Sequence, residues 1–196
     1  GTPGPASRLV LAQETYRKAM ATGDAVLLLS AIRLARGVTL RSPTSWTLTT
    51  TGETREAQPD TRAAPPDPAS PQVIAIVQAL AGEDPSLRDL VYDLDAQLPH
   101  GRAATAIEAK SDLDPGRTDT WRIAFSGQVP AELGLIGDGD APLSITVTDE
   151  SGGIICVLPP ALEPGLCRFT PGRNGFFAVT VANDGLVRNS YRLIGS

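Results

Sequence analysis

Hydrophobic positions in the first part of the chain recur every three or four residues, a spacing that predicts amphipathic helices. We expect Ser7 to cap the first helix and Gly23 to stop it. Asp24 is placed to cap the next helix at once, and Gly37 to end it. Because the connection is so short, the two helices should form an antiparallel hairpin. The apolar side of the first helix would carry Leu9, Ala12, Tyr16, Ala19 and Met20.

A second pair of helices is predicted after residue 69. Ser70 is the expected cap of the third helix, Pro71 lies at its first helical position, and Gly82 provides a stop. The dipeptide Asp84-Pro85 repeats the start signal for a fourth helix. The apolar positions expected on one face of that helix are Leu87, Leu90, Val91, Leu94 and Leu98. Helical hairpins with apolar faces are suited to holding another chain in the groove between them.

The two hairpins are separated by two stretches of different composition. Residues 38–51 are rich in threonine and contain Trp46, which predicts either an extended arm or a short strand. Residues 52–69 are rich in proline and poor in apolar side chains. We therefore expect a linker that favours polyproline-like and disordered states.

From about residue 102 the hydrophobic period changes from helical to alternating. Residues 121–125, 143–147 and 177–181 each alternate apolar and small or polar side chains, and Gly- and Asp-rich turns lie between them. The predicted fold class is therefore α+β, with helical hairpins followed by a jelly-roll-like antiparallel β-sandwich. The expected domains are a hairpin with a Thr-rich arm, a Pro-rich linker, a second hairpin and a β-sandwich, at residues 1–51, 52–69, 70–100 and 101–196.

Charge and hydropathy exclude two classes of partner. The 196 residues carry a formal net charge of −5 without a cluster of Lys and Arg, so we expect no nucleic-acid binding. No apolar run reaches the roughly 18–20 residues that span a bilayer. The first residues, Gly1 to Pro5, do not form a secretory leader, so any export signal is expected to be removed or missing from this chain.

The chain contains two cysteines, Cys156 and Cys167, with prolines and glycine between them. In an exported protein they would form a disulfide that closes a loop between neighbouring strands. A loop this short stabilises by about 2–3 kcal/mol in the chain-entropy treatment. The alternative is a pair of buried free thiols in a cytosolic protein.

Several motifs in residues 113–193 agree in order and spacing with one known family. They are Leu113-x-Pro115-Gly116-x-Thr118-Asp119-x-Trp121, Gly137-Asp138-Gly139-Asp140, Leu143-x-Ile145-x-Val147-x-Asp149-x-x-Gly152, Phe169-Thr170-Pro171, Gly175-x-Phe177-x-Val179-x-Val181-x-Asn183 and Asn189-x-Tyr191-x-Leu193. This part of the chain resembles the bacterial pre-peptidase C-terminal domain, a small jelly-roll module attached to secreted and periplasmic proteins. The resemblance implies an exported protein and a non-catalytic module, and some relatives bind calcium or extracellular polymers.

Acidic residues in the predicted turns are the candidate calcium ligands. Asp138 and Asp140 flank a glycine that permits a sharp turn, and Asp149 is a candidate third ligand. Asp112, Asp114 and Asp119 in the preceding turn are the alternative source of further oxygens. Under the alternative interpretation, Gly137 to Asp140 is an ordinary loop whose aspartates bond their own backbone.

Few residues offer catalytic chemistry. His100 is the only histidine and is expected to be exposed, and no nucleophile elbow or metalloprotease motif accompanies it. Trp121 alternates with apolar residues and should belong to the core, whereas Trp46 is harder to place. Tyr191 is expected to cover the core edge with a solvated hydroxyl. No catalytic or cofactor-binding residue is assigned.

Three functions fit these features. The first is a non-catalytic periplasmic or secreted binding and scaffolding protein with a protein or cell-envelope partner. The second is a calcium- or carbohydrate-binding accessory module. The third is a small hydrolase that uses paired carboxylates, for which the predicted sandwich offers little room.

Overall fold

The computed structural model describes residues 3–59, 66–96 and 104–196. These residues contain helices α1 (Pro5–Thr22), α2 (Ala25–Arg36), α3 (Pro71–Ala81) and α4 (Pro85–Ala96). The strands that precede and begin the sandwich are β1 (Val38–Arg41), β2 (Thr47–Thr51), β3 (Ala104–Leu113) and β4 (Thr118–Phe125). The remaining strands are β5 (Ala131–Gly137), β6 (Leu143–Thr148), β7 (Ile154–Ala161), β8 (Gly165–Phe169), β9 (Gly175–Asn183) and β10 (Asn189–Gly195). The predicted α+β fold class is confirmed.

The chain divides into two compact units that differ from the four consecutive segments expected from the sequence. The helical unit comprises Gly1–Leu40 and Pro66–Ala106, and the sandwich unit comprises Arg41–Pro65 and Ile107–Ser196. Both hairpins therefore belong to one unit, because their apolar faces share a core. The Thr-rich segment, grouped with the first hairpin in the sequence interpretation, instead supplies β2 to the sandwich.

The four helices bury their apolar faces against one another. Their common core is formed by Tyr16, Ala19, Ala25, Leu28, Leu29, Ala31, Ile32, Val73, Ile74, Val77, Ala81, Val91 and Leu94. The guanidinium of Arg36 on α2 donates to the carbonyl of Leu94 on α4 at 3.4 Å. Within the described residues, these apolar positions are internal rather than available in a groove for a partner.

Most helix boundaries follow the sequence signals, although the side chain of Ser70, the predicted cap of α3, makes no capping hydrogen bond. Asp24 caps α2, since its carboxylate accepts from the backbone N–H of Leu27 at 2.9 Å. Gly23 ends α1 with a φ of +66°, the left-handed conformation that glycine adopts without strain. The prediction for Ser7 is wrong, because α1 begins at Pro5 and Ser7 lies buried inside the helix. A proline at the first helical position determines this earlier start.

In the described chain, the strands form two five-stranded sheets. Their orders are β1-β3-β10-β5-β8 in the first sheet and β2-β4-β9-β6-β7 in the second. Neighbours from β3 to β8 in the first sheet, and all neighbours in the second, run antiparallel. The alternation predicted at residues 121–125, 143–147 and 177–181 corresponds to β4, β6 and β9, so the predicted sandwich is confirmed.

The inner faces of the two sheets enclose one apolar core. It is built from Ala109, Leu113, Trp121, Ile123, Leu133, Leu135, Leu143, Ile145, Val147, Cys167, Phe177, Val179, Val181, Tyr191 and Leu193. Phe125, Phe169 and Phe177 meet at one end of this core with ring centroids 5.1–5.8 Å apart. Since each strand sends alternate side chains inward, the other half of its residues forms an outward face.

Residues 52–59 of the Pro-rich linker are bound to the sandwich rather than free. The backbone N–H of Arg55 donates to Pro115 at 2.9 Å, and that of Gln58 donates to Leu186 at 2.8 Å. The expectation of a disordered segment therefore does not hold for residues 52–59. Backbone hydrogen bonds to two loops, the one between β3 and β4 and the one between β9 and β10, order this segment, although its composition alone would not.

Candidate functional site

The structure does not bring the three predicted calcium ligands together. Asp138 and Asp140 lie in the loop between β5 and β6, whereas Asp149 follows the other end of β6. Six residues of strand separate these positions by about 20 Å at the usual rise per residue. Among the described residues, no group of three or more His, Cys, Asp or Glu is placed to hold a metal ion.

The carboxylate of Asp138 instead bonds the backbone of its own and a neighbouring segment. One oxygen accepts from the N–H of Asp140 at 3.0 Å, and the other accepts from the N–H of Ser190 at 2.6 Å. Gly139 between the two aspartates has a φ of +90°, which permits the tight turn. These contacts match the alternative interpretation of the loop as a strand connection whose acidic side chain fixes the backbone.

Asp149 similarly organises the turn between β6 and β7. One carboxylate oxygen accepts from the hydroxyl of Ser151 at 2.6 Å and from the N–H of Gly153 at 2.8 Å. The hydrogen bond from the Ser151 hydroxyl, followed by that from the Gly153 N–H, lowers the pKa of Asp149 below its ordinary value. Asp149 is therefore a fixed negative charge at this end of the second sheet.

The other acidic candidates also have partners. Asp112 accepts from the hydroxyl of Ser190 at 2.6 Å and pairs with Arg188 at 3.1 Å. Asp114 lies 3.9 Å from the same guanidinium. Asp119 is fully buried, so it lies inside the sandwich rather than in a surface turn.

Asp119 is the centre of a polar network within the apolar core. Its two oxygens accept from the hydroxyls of Thr50 at 2.5 Å, Ser111 at 2.7 Å and Tyr191 at 2.6 Å. The indole N–H of Trp121 donates to the Tyr191 hydroxyl at 2.7 Å. The five residues come from strands of both sheets, so the network joins the two layers. A buried charge is tolerated when donors surround it in this way.

The prediction of a solvated Tyr191 hydroxyl is wrong. The side chain is 2% exposed, and its hydroxyl lies between Asp119 and Trp121. Burial, and secondarily the hydrogen bond to Asp119, raise the pKa of this phenol far above its ordinary value. Alternation alone could have placed Tyr191 inward, because Leu193 two residues later is also in the core.

Both tryptophans support the core. Trp121 is 6% exposed, which confirms its predicted place. The ring of Trp46 packs edge-to-face against Trp121 with centroids 6.3 Å apart. A Cβ at Gly195 would lie 2.9 Å from Cζ2 of Trp46, so the indole rests on that backbone. Neither ring is therefore a free stacking platform.

A disulfide joins Cys156 on β7 to Cys167 on β8, as predicted. These two strands are the last strands of the second and the first sheet, respectively. The bond therefore links the sheets at one edge of the sandwich rather than closing a hairpin within a single sheet.

The outward face of the second sheet carries an ordered set of hydroxyl side chains. Thr49 pairs with Thr120, Thr120 with Thr180, and Thr180 with Thr146, so one threonine from each of four adjacent strands lies in a single row. We call these four residues the threonine row. Neighbouring positions on the same face hold Thr47, Thr51, Thr118, Ser144 and Thr148. Among the hydrogen bonds of residues 3–59, 66–96 and 104–196, none involves a hydroxyl of the row.

Beside the row lie two adjoining clefts of about 380 and 590 Å³. We call them together the Arg122 cleft. The guanidinium of Arg122 lies 3.2 Å from the ring centroid of Phe176. The carboxylate of Glu150 accepts from the backbone N–H of Phe176 at 3.2 Å, so it also lies next to Phe176. Asp149 and Arg173 also line the clefts, which therefore contain both signs of charge.

Sequence interpretation missed this surface because it emphasised the apolar half of each alternation. The signal was present at the intervening positions, where threonine recurs at 118 and 120, at 146 and 148, and at 180. Only the strand order and the register show that these positions are adjacent. His100 lies outside the described residues.

Comparisons with known proteins supply little. No family model and no curated protein matches the chain. A solved structure of the CBM22-1 and GH10 modules of endo-1,4-beta-D-xylanase 10B from Clostridium thermocellum, complexed with xylohexaose, is similar over 45% of this chain and 24% of that chain. The identity is 8% and the TM-score is 0.27, values too low to support an argument about function. In the described residues, no helix is both long and apolar enough to cross a membrane.

Proposed function

We propose that this is an exported, non-catalytic binding protein whose ligand lies on the outward face of the second sheet. The observation that carries the proposal is the Arg122 cleft, where a cation, a carboxylate and an exposed aromatic ring meet on a rigid sheet. Arg122 is held over Phe176, and Glu150 bonds the backbone of the same residue. Side chains fixed in this way lose little conformational freedom when a ligand binds.

Export is supported by two independent features. Structural disulfides persist in oxidising compartments, and the bond between Cys156 and Cys167 links the two sheets. The resemblance of residues 113–193 to the pre-peptidase C-terminal domain also implies a secreted or periplasmic module without catalytic activity.

The binding role is assigned to the sandwich rather than to the helical hairpins. Most apolar positions of the hairpins are internal to the helical core, although Met20 and Leu90 are 42% and 39% exposed. On the second sheet, Arg122 stacks on Phe176 and Glu150 bonds the backbone of Phe176, so these groups are held in place on one face. Phe176 is 36% exposed, although Phe177 next to it is in the core.

The test is a binding screen of the folded protein against glycan and peptide arrays. We expect the wild type to bind at least one class and the double variant Arg122→Ala/Phe176→Ala to lose at least 90% of that signal. Arg168→Ala is the matched control, because Arg168 is an exposed arginine of the first sheet that pairs with Glu132 there. It should bind as the wild type does.

Three results would contradict the proposal. Retention of full binding by the double variant would remove the ligand from this face. Absence of binding to every array would remove the binding role. Cleavage of a bound array ligand, detected as released product by mass spectrometry, would show an enzyme.

A further inference from the structure

Resting on the proposed binding face, we propose that its ligand is a neutral polysaccharide chain laid across the threonine row. The row runs perpendicular to the strands through Thr49, Thr120, Thr180 and Thr146. Neighbouring strands lie about 4.8 Å apart, so the row repeats a hydroxyl and a methyl group over about 14 Å. An extended polymer with regularly repeated hydroxyl groups matches this arrangement.

The hydroxyl groups of the row determine what kind of surface can cover it. No side-chain hydrogen bond between described residues involves them, so in the free protein they are available to water. An apolar protein surface placed on the row would remove that water without replacing its hydrogen bonds, which is unfavourable. A ligand that donates and accepts hydrogen bonds at short intervals replaces them.

Charge beside the row favours a neutral ligand. Arg122 and Arg173 are donor-only cations, whereas Asp149 and Glu150 are acceptor-only anions. Opposite signs in one cleft give no net attraction for a polyanion or a polycation. Adjacent hydroxyl groups on a sugar both donate and accept, so one can bond a guanidinium while its neighbour bonds a carboxylate.

The methyl groups and the aromatic ring fit the other property of sugars. Each threonine presents a methyl group beside its hydroxyl, and Ala178 lies between Arg122 and Thr148 in the adjacent row. The C–H faces of pyranose rings are apolar and gain from such contacts. Phe176 extends this apolar strip into the cleft.

The experiment is affinity electrophoresis of the whole chain in native gels. The gels contain one of four soluble neutral polysaccharides (barley β-glucan, arabinoxylan, galactomannan or dextran) or one polyanion (alginate). We expect at least one neutral polysaccharide to retard the wild type at both 20 mM and 500 mM NaCl, because hydrogen bonds and apolar contacts are weakly screened. Alginate should cause no retardation.

Thr120→Val/Thr180→Val tests the row itself. Valine keeps the shape of threonine and removes the hydroxyl, so the fold should persist and the apparent Kd should rise at least tenfold. Thr105→Val is the matched control, since Thr105 is an exposed strand threonine on β3 of the first sheet. It should leave the Kd unchanged. Circular dichroism checks that both variants are folded.

Each contrary result has a defined meaning. The inference is overturned if none of the four neutral polysaccharides retards the wild type, if only alginate does so at low salt, or if the double valine variant binds as the wild type does. After either of the first two results, the proposed function still holds if an array ligand of another class binds the wild type and the variant Arg122→Ala/Phe176→Ala no longer binds it. It fails separately if no array ligand depends on those two residues.

Discussion

At the scale of single residues, Asp119 is a side chain that its surroundings constrain closely. It is a fully buried carboxylate whose charge is compensated by three hydroxyl donors. Apolar contacts could fill the same space in many ways, but these hydrogen bonds require Thr50, Ser111 and Tyr191 to meet at one point. The network therefore specifies the register of β2, β3 and β10 relative to β4.

Replacing Tyr191 with phenylalanine tests the energetic weight of this network. The variant removes one donor from Asp119 and the acceptor of the Trp121 indole N–H. We expect the free energy of unfolding at pH 7 to fall by about 1–3 kcal/mol, the cost of leaving a buried polar group without its partner. Urea unfolding followed by tryptophan fluorescence measures it. Tyr92→Phe, at a side chain 74% exposed, is the control and should have no effect.

The phenol of Tyr191 also predicts that the stability of the fold depends on pH in the alkaline range. In the folded protein the pKa of Tyr191 is raised, whereas in the unfolded chain it is the ordinary 10.0. Above about pH 10 the unfolded chain therefore releases a proton that the folded protein keeps, and stability falls as pH rises. The slope approaches about 1.4 kcal/mol per pH unit for one group. Burial also raises the pKa of Tyr16, which adds in the same direction.

The difference between wild type and Tyr191→Phe should consequently shrink between pH 7 and pH 11. The variant lacks the Tyr191 phenol and with it this contribution, whereas Tyr16 is the same in both proteins. A difference that stays constant across this range would show that Tyr191 ionises equally in the folded and unfolded states.

At the scale of elements, local signals predicted the four helices and the three strands β4, β6 and β9, but they did not predict how the elements group. Pro71, Pro85 and Asp24 mark helix starts because their chemistry acts within one turn. Alternation predicted β4, β6 and β9 for the same reason. The burial of α1 to α4 in one core, and the pairing of β2 with β4, depend on contacts distant in sequence, which periodicity does not encode.

The candidate site shows the same limit. Asp138, Asp140 and Asp149 were predicted to be calcium ligands because they are close in sequence. Strand β6, however, separates Asp149 from Asp138 and Asp140. No short stretch of sequence contains the threonine row, since its members lie on four strands. Strand order and register bring these residues together, and no sequence motif predicts the surface that they form.

The cap of α2 is the element-scale prediction. Asp24→Ala removes the carboxylate that accepts from the Leu27 N–H, so the free energy of unfolding of the helical unit should fall by about 0.5–2 kcal/mol. Thermal unfolding followed by circular dichroism at 222 nm measures the change. Glu14→Ala, at an exposed position within α1, removes a carboxylate that caps no helix and should change stability much less. Equal effects of the two substitutions would mean that the cap contributes nothing.

At the scale of the whole molecule, the chain combines a helical unit and a sandwich unit with separate core clusters. Both tryptophans, Trp46 and Trp121, belong to the sandwich core region, so tryptophan fluorescence reports on that unit. The proposed ligand face and the disulfide also belong to the sandwich. The disulfide links β7, the neighbour of β6 in the second sheet, to β8 in the first.

Removing that link should loosen the sandwich rather than alter its topology. For Cys156→Ser/Cys167→Ser we expect the free energy of unfolding to fall by about 3 kcal/mol, because the unfolded chain regains the freedom of an eleven-residue separation. Urea unfolding followed by tryptophan fluorescence measures it. Dithiothreitol should shift the wild type to the midpoint of the variant and leave the variant unchanged. The prediction fails if the variant and the oxidised wild type unfold at the same urea concentration. Packing between β7 and β8 would then stabilise this edge without the disulfide, and the disulfide would not contribute the stability that we expect of an exported sandwich.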